Sequence, residues 1–242
     1  MENYFKIISL LFIFLLSSCN QLVFALDINK DIPKKANSLL PIVKKEAERI
    51  HPDFKQSFYY GSLIEHESCL SLTHSRCWSP TSRLKTQREE GAGLGQLTRA
   101  YNNDGTPRFD TLTELANRYN EELKDLSWSN IYQRPDLQIK SIILLHKESY
   151  SKLFMIPDPD ERLKFSDAAY NGGLSGVDKD RRLCRLTSNC NPIIWTNNVE
   201  LTCSKSKKIL YSNRSACDIN RHHVHDVTIV RLPKYKKWFE EN

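Results

Sequence analysis

No two cysteines in this 242-residue chain are spaced C-x-x-C, although 7 are present. Short zinc-binding loops depend on that spacing, so its absence argues against a structural metal centre. A dinucleotide fingerprint is missing as well. The one glycine-rich stretch, Gly91-Ala92-Gly93-Leu94-Gly95-Gln96-Leu97, lacks the G-x-G-x-x-G order, and no strand is expected before it. Only 8 glycines and 10 prolines occur, too few for a disordered chain, and there is no internal repeat or low-complexity tract. With 40% hydrophobic residues, the composition is that of a globular protein with one sizeable domain, or one domain plus an appendage. Excess negative charge is also missing. The formal charge is +6, and setting residues 1–19 aside leaves it unchanged because Glu2 and Lys6 cancel. This mild bias suits cell-wall polymers, membrane surfaces or nucleic acids without choosing among them.

The N-terminus is more specific. An apolar run over residues 7–16 follows Lys6 and precedes Ser17-Ser18-Cys19. That is the layout of a signal peptide, and the run is too short to span a bilayer. Leu16-Ser17-Ser18-Cys19 resembles a bacterial lipobox, in which Cys19 would be lipidated. Val23-Phe24-Ala25 offers an ordinary cleavage site instead, and Asn20 and Gln21 disfavour an uncleaved anchor. The expectation is an exported protein of the periplasm or cell envelope, lipid-anchored if Cys19 is used, with residues 1–25 as signal and 26–35 as linker. Without Cys19, six cysteines remain: Cys69, Cys77, Cys184, Cys190, Cys203 and Cys217. An even set in an exported chain predicts three disulfides, and sequence neighbours suggest Cys69 with Cys77, Cys184 with Cys190 and Cys203 with Cys217.

Helical periodicity is expected over residues 36–50, 58–69 and 112–126, from Pro135 through Phe154, and over 158–170, 233–240 and the short piece 97–101. The helix opening at Pro135 is apolar over most of its circumference, so it is the expected core helix, with His146 as a satisfied core residue. Residues 71–90 read as a long loop. Within it, Trp78 is either a packed anchor or a platform for a sugar ring. Asn171-Gly172-Gly173 stops a helix. Beyond Val177 the chain reads as an irregular, disulfide-stapled tail, with a strand signal at 227–232. The fold class is mainly α.

One carboxyl stands out. At helical period Tyr60, Leu63, Ile64 and Glu67 fall at i, i+3, i+4 and i+7, which puts Glu67 on an apolar face and points Glu65 and His66 elsewhere. A carboxyl on a buried face either finds a cation or keeps its proton, and a retained proton suits a general acid. A boundary or salt-bridging Glu has the same spacing.

Glu67-Ser68, the Gly91 to Leu97 stretch and Ala169-Tyr170-Asn171-Gly172-Gly173 occur in the order of a known signature. This ordered triplet resembles the lysozyme-like lytic transglycosylases, with their helix ending in Glu-Ser, GLMQ-type segment and Ala-Tyr-Asn segment. The resemblance implies a lysozyme-like (goose-type/lytic transglycosylase) domain over 36–183 and an irregular cysteine-containing extension over 184–242. It implies that Glu67 is the catalytic acid and base, that Ser68 positions the sugar, and that Gln96, Tyr170 and Asn171 line the cleft. Gly95 stands where the family has Met, and the loop before Gly91 is longer than usual. By the same resemblance, peptidoglycan glycan strands are the substrate, no metal or cofactor takes part, and cell-envelope machinery is a partner.

Two other readings remain open. A muramidase of the same fold would use Glu89 or Glu90 to place water, although both also read as a solvated pair beside Arg88. A non-catalytic peptidoglycan-binding or assembly protein would keep the fold alone. Adjacent His222, His223 and His225 on an irregular tail do not converge on a metal without a preformed frame. Lys234, Tyr235, Lys236, Lys237 and Trp238 read as a packed aromatic face with solvated lysines, or as a contact for wall polymer or membrane. Nucleic acid does not suit an exported, disulfide-bearing chain.

Overall fold

Leu40, Val43, Ala47 and Ile50 recur at the spacing of one helix face, and they are the buried residues of α1 (Leu40–Ile50). The computed structural model describes residues 31–211 and 213–242, so the signal segment, Cys19 and the first half of the 26–35 linker lie outside the described residues. Pro41 sits in the first turn of α1, where its missing N–H costs nothing, and residues 34–38 form a separate 3-10 turn instead of continuing the helix. The chain is mainly helical, with a four-stranded antiparallel sheet. Helix α2 (Tyr59–Ser68) is buried at every residue from Tyr59 to Glu65.

The 71–90 segment is not simply a loop. It contains β1 (Arg83–Lys85) and leads into β2 (Glu89–Ala92), and these pair with β3 (Leu97–Tyr101) and β4 (Pro107–Asp110) in the order β1-β2-β3-β4. A strand therefore does precede the glycine-rich stretch, and residues 97–101 are strand instead of helix. Leu97 and Ala100, which fall on opposite faces of the strand, are buried and Thr98, Arg99 and Tyr101 are half-buried, so both faces of β3 are covered. Trp78 resolves as a packed anchor. It is 1% exposed, and its Nε1–H donates to the Tyr235 hydroxyl at 3.1 Å.

Helix α3 (Thr111–Arg118) is capped by Asp110, which accepts from the Thr113 N–H at 3.0 Å. It stops well short of 126. Leu123 and Leu126 are buried, but turns carry them, so their spacing reported burial and not helix. Helix α4 (Pro135–Lys152) buries Leu137, Ile139, Ile142, Ile143 and Leu144. Its His146 is fully buried between the Tyr60 hydroxyl at 3.1 Å and the Ser166 hydroxyl at 2.9 Å, and burial holds it neutral. Helix α5 (Pro159–Gly172) ends at Gly173, whose φ of 77° needs a glycine.

Among the described residues, the stretch after Val177 is largely helical. It holds α6 (Leu174–Arg185), the short strands β5 (Ile209–Tyr211) and β6 (Arg214–Ser215), α7 (Ala216–His225), a π turn (Asp226–Arg231) and α8 (Leu232–Glu241). The strand signal at 227–232 came from β-branched Val227, Thr228, Ile229 and Val230, whose preference tertiary packing overrides. Sulfur pairs join Cys69 to Cys77, Cys184 to Cys190 and Cys203 to Cys217. The 183/184 boundary does not divide the packing. Val227, Tyr235 and Phe239 share a core with α1, α2 and α4, and Cys184, Trp195 and Val224 share another with Phe165 and Ala168.

What fastens the C-terminal run to α2 is ionic. Glu65, fully buried, accepts from Arg231, from Lys234 Nζ at 2.7 Å and from the Tyr235 hydroxyl at 2.5 Å. Lys234 is thus a buried partner, while Lys236 and Lys237 are exposed. Removing one member of a buried pair leaves the others desolvated and uncompensated. Glu65→Ala is expected to lower stability by about 3–5 kcal/mol in denaturant unfolding. A loss no larger than about 1 kcal/mol, the scale of a surface pair, would show that the network does not hold the C-terminal run.

Candidate functional site

The sequence pattern singled out Glu67 as the buried acid of its helix, but the fully buried carboxylate of α2 is Glu65. Glu67 keeps 16% of its side chain exposed. The physical reason is that α2 is enclosed on all sides, so its apolar stripe does not mark the only inward face. Glu65, off that stripe, meets the C-terminal run. Glu67 lies at the end of α2, where the helix leaves the core.

There the Glu67 carboxylate is backed by an imidazole. His223 of α7 donates from Nε2 to Glu67 Oε1 at 2.9 Å and from Nδ1 to Asp167 Oδ2 of α5 at 2.8 Å. Asp167 is itself fully buried, and its Oδ1 accepts from the Tyr59 hydroxyl at 2.7 Å. Burial alone would lower the pKa of His223. The charges of Asp167 and Glu67 outweigh it and raise the value to about 10, so the ring is an imidazolium. His66 stacks edge-on to His223 with ring centroids 4.4 Å apart, and its Nδ1 lies 2.5 Å from Asp226 Oδ2. Burial would raise the Asp226 carboxyl, but His66 and Arg231 pull it well below the usual range.

The other side of the site is Tyr170 and the glycine-rich hairpin. The Tyr170 ring stacks on His223 with centroids 6.5 Å apart, and its hydroxyl donates to the Gly95 carbonyl at 2.9 Å. Burial first, and then the charges of Glu67 and Asp167, push that hydroxyl well above its ordinary pKa. Residues 93–96 are the tip joining β2 to β3, which docks on α4 through a Leu94 N–H to Gln138 Oε1 bond of 2.8 Å. A Cβ at Gly95 would lie 2.4 Å from Ile142 Cγ1 and 2.6 Å from the Tyr170 hydroxyl. The place a Met side chain would leave through is filled.

The structure thus gathers Glu67, Tyr170 and the Gly95 backbone around His223. It does not present the remaining expected residues in the same way. Ser68 is buried, with its hydroxyl donating to the Ile64 carbonyl and accepting from the Trp78 N–H, so it is committed to the protein's own backbone. Gln96, at φ 45°, turns its amide back onto the Gly93 carbonyl at 2.8 Å, within the hairpin. Asn171 is exposed and accepts from Asn220 Nδ2 at 2.9 Å. Glu90 is not half of a solvated pair. It is 4% exposed and paired with Arg83 and Arg99 at 2.5 and 2.8 Å, which hold its carboxyl below the usual range although burial alone would raise it. Glu89, on the same strand, is half-buried.

Asp167 carries no mark in the sequence, and His223 stands out only within a histidine cluster weighed for a metal, yet the spacing that drew attention to Glu67 applies to both. Asp167 lies four residues after Leu163 and three before Tyr170, and His223 three after Asn220 and four before Val227. Reading 184–242 as irregular removed the period that would have shown His223. Among the described residues no group of three or more His, Cys, Asp or Glu could hold a metal ion. No family model, curated protein or solved structure matches the chain.

A raised histidine pKa makes folding pH-dependent with a definite sign. His223 binds its proton more tightly when folded, so its contribution is complete below the unfolded value of 6.5 and is lost as pH rises through about 10. Between those values stability is expected to fall by about 1.4 kcal/mol per pH unit for this one proton. In denaturant titrations the His223→Gln variant should lack that slope. An equal slope in the variant would assign the proton to another group.

Proposed function

We propose that the protein is a peptidoglycan lytic transglycosylase of lysozyme-like fold that works with one carboxyl, Glu67. The observation that supports this is the convergence of three separate stretches of sequence. The end of α2, the β2–β3 tip and the end of α5 meet around one carboxylate that keeps a small part of its side chain exposed. In the reaction, Glu67 gives a proton carried on Oε2, the oxygen that His223 does not hold, to the glycosidic oxygen as the bond from C1 of N-acetylmuramic acid to that oxygen breaks. The C6 hydroxyl of the same muramic residue attacks C1 and returns its proton to Glu67. Atoms balance without water or cofactor, and an intramolecular nucleophile removes the entropy of capturing a second reactant.

Hydrolysis by a pair of carboxyls needs a second acid to hold water. The Glu90 carboxylate is taken up by Arg83 and Arg99, which favours the single-acid reading. The proposal also carries export to the periplasm or envelope, with a lipid anchor if Cys19 is the processing site used, and a net positive charge suited to an anionic wall polymer.

Mass spectrometry of soluble products from purified peptidoglycan tests the reading. The expected products end in 1,6-anhydromuramic acid, and Glu67→Gln should reduce their release by at least about 100-fold, the lower end of the range for a general acid. Reducing-end products would replace the reading with a muramidase and direct attention to Glu89. No release by a folded protein would leave a wall-binding protein.

A further inference from the structure

A glutamate at a helix end has three rotatable side-chain bonds, and catalysis by proton transfer needs its oxygen fixed relative to the scissile bond. Among the described residues, the one hydrogen bond to the Glu67 carboxylate is from His223 to Oε1. That contact is the outer end of a chain that starts in the core. The Tyr59 hydroxyl donates to Asp167 at 2.7 Å, His223 donates to Asp167 at 2.8 Å, and His223 donates to Glu67 at 2.9 Å. Tyr59, Asp167 and His223 are each at most 1% exposed, and only Glu67 reaches solvent.

The chain crosses three elements, α2, α5 and α7, so each link is locked by packing that the others do not supply. Its arrangement is unsuited to a merely structural role. An imidazolium between two carboxylates carries a large desolvation penalty, and apolar residues of similar volume would join the same helices at no greater free-energy cost. What apolar residues would not supply is a fixed, directed N–H at Glu67.

We propose that Asp167 and His223 are a positioning pair for Glu67: Asp167 fixes the orientation of the imidazole, and the imidazole holds Oε1 so that Oε2 is presented to substrate. Both act through Glu67 and neither touches the sugar. The inference rests on the reading of Glu67 as the proton donor. It adds two residues to the reaction that lie far apart in sequence from the acid they serve.

The test uses the whole protein, its His223→Gln and Asp167→Asn variants, and two readouts. Kinetics on purified peptidoglycan strands give kcat and KM separately, after thermal unfolding has confirmed that each variant is folded. Misplacing the acid should lower kcat by about 100-fold while KM is unchanged. A folded His223→Gln variant with unchanged kcat would overturn the proposal. The second readout does not depend on turnover. With ¹⁵N-labelled histidine, both ring nitrogens of His223 should carry protons, with Glu67→Gln moving the Nε2 resonance and Asp167→Asn the Nδ1 resonance. A His223 spectrum indifferent to both changes would overturn the pair whatever the products are. The expected spectrum together with no anhydro products from the unsubstituted protein would overturn the reaction, and the positioning role with it, while leaving the contact itself established.

Discussion

One buried negative charge governs how this protein is assembled. Glu65 lies at the centre of the fold, and its compensation comes from Arg231, Lys234 and Tyr235 of the C-terminal run. The next two residues of α2 take partners from the same run in reverse order, His66 from Asp226 and Glu67 from His223. Advancing along α2 therefore means retreating along the C-terminal run, one polar contact after another. The stabilising contact and the candidate catalytic contact are two ends of one seam. In an unbroken α-helix His223 and Tyr235 would be about a third of a turn out of phase. The π turn between them rotates less per residue and brings both toward α2. Its β-branched residues are weak helix formers, which makes the local departure from α geometry inexpensive.

The glycine-rich hairpin shows a second constraint, close approach. Gly93, with φ of 75°, lies where a Cβ would meet Gln138 at 2.5 Å, and Gly95 lies where one would meet Ile142 and Tyr170. These glycines let the sheet press its tip against α4 and the end of α5. In the family that the motif resembles, a Met occupies the position of Gly95. Here Tyr170 and Ile142 fill that volume, so the departure in sequence is matched by a departure in packing and not by a void.

Much of this was legible in the residues alone. The helices opened by Pro135 and capped by Asp158, the stop at Gly173, the role of His146 and the three cysteine pairs follow from local chemistry, which acts over a few residues. Two of the failures come from long-range contacts. Leu97 to Tyr101 becomes a strand because β2 and β4 flank it, and Val227 to Val230 becomes helical because Asp226 and Arg231 are held by α2. For the site, Glu67 and Tyr170 could be named from a motif. Asp167 and His223 could not, because their significance is a meeting between residues 56 positions apart.

The seam also explains why an expensive ionic network would be kept in a core that has ample apolar surface. Hydrophobic residues of similar volume would seal the crossing of α2 and the C-terminal run at equal or lower free-energy cost. Apolar packing is non-directional, so it tolerates small rotations of one helix about its own axis. A rotation of the C-terminal run would carry His223 away from Glu67 even if the core stayed filled. The hydrogen-bonded charges that cross to α2, Lys234 on Glu65 and Asp226 on His66, fix that rotation because their geometry is directional. Stability alone would not require such contacts at the far end of the run, whereas the orientation of one carboxylate at the near end does.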